Sequence, residues 1–179
     1  MSETAHFEII RSEKTFELRQ YPPILIAKVL LSGPFETAYK SGGDILKDYL
    51  DGNNYKQVKL AETIAPIATP SKATPYMMKS RPEGWEVSCV LPGHLSCETA
   101  PRPVEQKIHF EELASRPVAV FKFTGKAPYS FIMKKTEELR SWAKSSDLKL
   151  NSTSRIVVYK SGFLPFLRKN EIQLDGVFS

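Results

Sequence analysis

Few groups in this 179-residue chain could do acid–base or metal chemistry, and they are scattered. Glu62, within AETIAPI, and Glu171, within RKNEI, are the only carboxylates in surroundings that suggest acid–base work. Each reads equally well as a strand-edge carboxylate paired with a nearby Arg or Lys. His6 stands in the N-terminal stretch and His94 in a loop, while His109 alternates with Lys107 and Glu111 on the polar side of a strand. All three read as surface histidines rather than ligands. Cys89 shares a strand face with Trp85, Val87 and Leu91 and reads as an inert core thiol, and Cys97 falls in a loop. No HExxH, CxxC pair, GxSxG, P-loop or GxGxxG occurs. These residues support no enzyme; a hydrolase or lyase using Glu62 or Glu171 stays as the alternative.

A second group of residues suits binding instead. Phe163, Leu164, Pro165, Phe166 and Leu167 are too apolar for a plain surface turn, so the loop either tucks into the core or lines a site for an apolar ligand. A third use for it is docking a protein partner. The net charge of +5 and pI near 9.1 fit a mildly basic solvated surface or attraction for a carboxylated ligand. No run of five like charges and no nucleic-acid motif appears.

These residues must be positioned by elements that the chain writes twice. Phe16–Val29, FELRQYPPILIAKV, aligns without a gap on residues 110–123, FEELASRPVAVFKF, at an offset of 94 (110 − 16). Each copy reads as a short strand, a proline-marked turn and a longer strand of period two. An amphipathic segment follows each, after Gly33-Pro34 and after Ala127-Pro128, with Leu46 matching Leu139 and Tyr49 matching Trp142 at helical spacing. Proline suits a first helical turn and Gly52 a helix stop. The expected fold is α+β: a single domain over 1–179, made of two ββαββ halves at about 7–92 and 104–176. Gly42-Gly43 inside the first helix implies a kink, a split or the close approach of something bulky. Leu60–Ala68 reads as an edge-like strand, and Thr69–Gly84 as a loop. No apolar run is long enough to span a membrane, and the N-terminus lacks a signal-peptide pattern. Together with two cysteines, this places the chain in a reducing cytoplasm.

With those residues in view, the chain resembles the SOUL haem-binding protein family from about Phe7 to Leu174. The carrying pieces are Glu17-Leu18-Arg19-Gln20-Tyr21, Tyr49-Leu50-Asp51-Gly52-Asn53, Pro101-Arg102-Pro103, Phe123-Thr124-Gly125 and Arg168-Lys169-Asn170-Glu171-Ile172. The resemblance implies an antiparallel, eight-stranded, barrel-like sheet flanked by two long helices. It also implies haem or another tetrapyrrole bound in an apolar cleft, with no part in folding. Where some members carry a histidine between the Arg and Tyr of the first motif, this chain has Gln20, a poor iron ligand. Thr63-Ile64-Ala65-Pro66-Ile67 likewise replaces the family's M-T-x-P-V strand. The fold further resembles GyrI-like effector-binding domains, some of them hydrolases. A porphyrin needs an apolar wall and a cationic rim. The likeness directs attention to Tyr159, Lys160, Phe163, Leu164 and Phe166 on one side of a cleft, and to Ile45, Tyr49, Lys56, Val58 and Lys59 on the other. The ligand's carboxylates are expected near Lys56, Lys59 or Lys160.

Overall fold

The computed structural model describes residues 7–60, 76–159 and 165–179. Three strands, β1 (Glu8–Glu13), β2 (Phe16–Tyr21) and β3 (Ile24–Leu31), lead into helix α1 (Phe35–Leu50). Then come β4 (Tyr76–Arg81), β5 (Gly84–Val90), β6 (His109–Leu113) and β7 (Arg116–Thr124). Helix α2 (Tyr129–Ala143) precedes β8 (Leu148–Leu150), β9 (Arg155–Tyr159) and β10 (Lys169–Phe178). The strands form one antiparallel sheet in the order β1-β2-β7-β10-β9-β4-β5-β3-β6, with β8 added on β10. Among the described residues it is open, ending on β1 and β6, so the expected barrel-like sheet of eight strands is corrected to an open sheet of ten described strands. With β1 and β8 set aside, the order runs symmetrically outward from the β4·β9 pair. The β2·β7 ladder, with Glu17 opposite Val120, has the same register at the offset of 94 as the β6·β3 ladder, with Glu111 opposite Ile26.

Both helices cover one face. A single register row, Phe121–Ile172–Ile156–Met78–Val87–Val29, runs across six strands of that face, and every member is buried in the main core. Leu46 of α1 and Leu139 of α2 both pack into that core. Tyr49 is buried with them, whereas Trp142 is only half-buried and stacks on Phe16. Pro34 and Pro128 stand at the two N-caps without a side-chain cap bond. Gly52, at φ +117°, turns the chain after α1, and Asn53 N–H donates back to Asp48. No helix among the described residues is long and apolar enough to cross a membrane.

The reading of Thr69–Gly84 as a loop is corrected over Tyr76–Arg81, which is β4. The period-two signal fails there because Met77 and Met78 are both buried, one on each face of the sheet. The reading of Leu60–Ala68 as a strand falls outside the described residues beyond Leu60. The glycine pair in α1 reflects close approach. A Cβ on Gly42 would lie 2.6 Å from Val87 Cγ2, whereas one on Gly43 would meet the Tyr76 ring edge at 3.2 Å. Gly42→Ala is therefore expected to destabilise the protein by about 1–3 kcal/mol through overpacking, although alanine favours a helix by roughly 1 kcal/mol over glycine. Gly43→Ala should be near neutral. Urea titration of both variants checks this, and equal midpoints would refute the close packing of α1 on β5.

Candidate functional site

The face of the sheet opposite the helices carries buried charge. The period of two in β2 places Glu17, Arg19 and Tyr21 on this face, and β10 adds Glu171 and Gln173. Arg19 is only 3% exposed. Its Nε donates to Glu17 Oε2 at 2.7 Å, and its Nη1 to the Tyr21 hydroxyl and Glu171 Oε2 at 3.0 Å each. Its Nη2 donates to Glu171 Oε1 at 2.8 Å and lies 2.6 Å from Glu17 Oε2. Four of the five N–H groups of the guanidinium thus donate a hydrogen bond, and the Glu17 contact at Nη2 is an ion pair. The Phe7 ring covers the guanidinium at 4.1 Å. Gln173 Nε2 donates to Glu171 Oε2 at 2.8 Å, and Lys122 Nζ donates to Glu17 Oε1.

Burial works against the Arg19 charge, but the adjacent Glu171 carboxylate and the Tyr21 hydroxyl together outweigh it and hold the guanidinium firmly protonated. Burial likewise pushes Glu17 up, yet the bonds from Lys122 and Arg19 prevail and keep its carboxyl below the usual glutamate range. The Tyr159 phenol, bonded to Glu171, is driven well above its ordinary pKa by burial and then by that carboxylate's charge. Cys89, in the core on the other face, is pushed up to about 12 by burial.

The internal repeat supplies a control for this network. Lys122 reaches Glu17, and at the same offset Lys28 reaches Glu111 at 2.5 Å, so the crosswise lysine–glutamate bridge occurs twice. Arg19 and Tyr21, however, correspond to Leu113 and Ser115. Leu113 packs against the small cluster of Ile26, Met77, Val157 and Tyr159. The scaffold therefore builds that position with an apolar side chain in one half and an ion-paired guanidinium in the other. The charge is a local addition, not a requirement of the fold.

A cavity of about 800 Å³ opens beside this addition. Phe7, Ile9, Phe123 and Tyr159 supply apolar and aromatic wall, Thr15, Thr124 and Asn170 polar groups, and Glu17, Arg19, Lys122, Lys169 and Glu171 the charges. Three cations face two carboxylates, so the lining is net positive.

Of the residues expected to line a cleft, Tyr159 is in this cavity. Tyr49 is buried under α1, its hydroxyl donating to Pro101 O at 2.9 Å, and Ile45 packs half-buried against the same core. Lys56, Val58 and Lys59 are exposed on the loop leading to Leu60, which is buried on the helix side. Phe166 is exposed in a short turn, and Arg168 next to it meets Glu36 at 3.6 Å and the Tyr39 ring. That turn thus lies at the start of α1. Tyr39 and Tyr49 are ten residues apart, about 15 Å along a helix, so the two expected walls do not meet among the described residues. Lys160, Phe163, Leu164, Glu62 and His6 lie outside them. Gln20 points away from Arg19 and donates to Ser115 Oγ at 2.9 Å. The pairing of Arg19 with Glu171, 152 residues apart, has no local signal, although both stand in motifs that the sequence picks out.

The family profile for SOUL heme-binding protein matches residues 2–175. The chain belongs to the SOUL family. Comparison with curated proteins gives no significant match. Among solved structures, the C-terminal domain of EcmrR superposes with a TM-score of 0.60 at 13% identity, covering 92% of this chain and 98% of that domain. The EcmrR chain in a complex with DNA gives the same score and identity, and there this SOUL protein spans only 57% of the partner's length. A hydrolase from Listeria innocua follows at TM-score 0.57 and 12% identity, covering 93% of this chain and 94% of that one. At these identities the likeness is one of fold.

Proposed function

We propose that this SOUL family protein binds a tetrapyrrole, haem or a metal-free porphyrin, in the cavity beside Arg19, as a binding, buffering or transport protein. The observation that carries this reading is the pairing of an aromatic wall with a net positive lining in a space of about 800 Å³. That volume falls within the roughly 300–1,000 Å³ common for small-molecule sites. A porphyrin is a broad apolar disc with carboxylates at one edge, and wall and lining match those two parts. The cavity suits the ring and its carboxylates better than the iron. Among the described residues no His, Cys or Met lines it, and the Tyr159 phenol is held protonated.

The alternative, a GyrI-like site for aromatic cations or a hydrolase, draws support from the fold of its neighbours. A net positive lining disfavours a cationic guest. Hydrolysis through Glu171 is disfavoured because Arg19 and Gln173 occupy its oxygens. Absorbance titration with haemin, protoporphyrin IX and a lipophilic aromatic cation separates these readings. The two macrocycles should show saturable Soret changes of similar affinity, with the cation binding more weakly. Tighter binding of the cation, or no binding of either macrocycle, would refute the proposal.

A further inference from the structure

Lys122 and Lys169 stand on neighbouring strands at the cavity, and their settings differ in a way that points to a ligand. In the β7·β10 ladder Lys122 is opposite Glu171 and Lys169 is opposite Thr124, so the two lysines are diagonal neighbours on one face. Diagonal positions of an antiparallel pair lie about 7–8 Å apart. Lys122 is held by Glu17, which Arg19 in turn fixes from below, so its ammonium has a defined direction with two donors still free. Lys169 makes no ion pair among the described residues, although Arg19 pairs with two carboxylates of the lining and Lys122 with one.

We propose that Lys122 and Lys169 form a two-point clamp that selects ligands bearing two carboxylates on one edge. This rests on the tetrapyrrole reading of the cavity and adds its selectivity. The repeat shows why the clamp occurs in only one half. Lys28, the counterpart of Lys122, meets both Glu111 and Glu86, so its charge is shared between two carboxylates within the protein. Lys122 meets one. An acceptor brought by a ligand fills that difference, and Lys169 takes a second acceptor one diagonal step away. A diacid gains both contacts at once, whereas a monoacid gains one and leaves a lysine facing the apolar ring.

The test uses protoporphyrin IX, its monomethyl ester and its dimethyl ester, titrated by fluorescence in one fixed detergent concentration. Wild-type protein, Lys122→Gln and Lys169→Gln are compared. Lys169 is solvent-exposed and unpaired among the described residues, so Lys169→Gln should keep the parent's thermal midpoint, whereas Lys122→Gln gives up the bridge to Glu17 and is titrated at a temperature well below its own midpoint. In wild type, affinity should fall roughly tenfold per esterified carboxylate, the scale of a hydrogen bond to a charged group. Each Gln variant should lose about tenfold for the diacid and nothing for the diester. Equal wild-type binding of diacid and diester would overturn the clamp and leave the tetrapyrrole reading standing. An equal loss for diester and diacid in the variants would also overturn it. Failure of all three porphyrins to bind would overturn both.

Discussion

Arg19→Ala is expected to cost about 3–5 kcal/mol of stability, the usual scale for removing one partner of a buried ion pair. The guanidinium donates four hydrogen bonds to Glu17, Glu171 and Tyr21, and its loss leaves Glu171, among the described residues, with Gln173 and Tyr159 as donors. Glu17 would keep Lys122, whose side chain is 44% exposed and so remains solvated. The loss of Arg19 therefore falls chiefly on Glu171. That attribution has its own check. Arg19→Leu combined with Glu171→Gln removes both charges and should recover most of the loss, since replacing a whole buried pair is often nearly neutral. The corresponding Leu113 shows that this scaffold accepts leucine there. Urea denaturation of the three proteins decides the matter. A loss below about 1 kcal/mol for Arg19→Ala would mean that water reaches the network and that it does not brace the cavity.

The sequence and the structure part company at particular residues. Strand periodicity located β2, β3, β6 and β7, because each places charged residues at one parity, Glu17 and Arg19, Lys28, Glu111 and Lys122, even where Ile26, Val118 and Val120 are buried on that face. β4 escaped because its apolar residues point both ways, and a strand buried on both faces has no period to read. The repeat at offset 94 was visible because the two halves use the same ladder twice, and a helix of 16 or 15 residues follows each copy. What the repeat could not show was where the halves differ in role. Arg19 and Leu113 are one mismatch among many in an alignment, and only coordinates reveal that one is paired with a carboxylate from the far end of the chain. The apolar turn near Phe166 stands out by composition, and Arg168 just after it meets Glu36 and Tyr39 of α1. Its neighbours are at the start of α1 rather than the end, which the sequence has no means of choosing between. Tyr49 was legible as an inward residue, but its reading as a ligand contact was not separable from its reading as core. In the fold it is 1% exposed and its hydroxyl donates to Pro101 O.

Leu46→Ala tests whether the helices are seated as described, and it is expected to cost about 2–5 kcal/mol. Leu46 is fully buried in the cluster that joins α1 to the sheet, alongside Val87, Met78 and Val29. Alanine and leucine are both good helix formers, so backbone propensity changes little and the loss reports packing alone. Gly42 lies one turn earlier, already in contact with Val87, so α1 cannot settle closer to the sheet to refill the space. That rigidity favours the upper half of the range, because the cost rises with the cavity that remains. Leu139→Ala, at the corresponding position of α2, should behave alike, since Leu139 is also fully buried. Lys47→Ala serves as the control on the exposed side of α1. It loses only the solvent-exposed pair with Asp51, whose contribution water screens to little. Urea midpoints at unchanged slope give all three values. A Leu46→Ala loss as small as that of Lys47→Ala would show that α1 does not pack on β5 through this side chain.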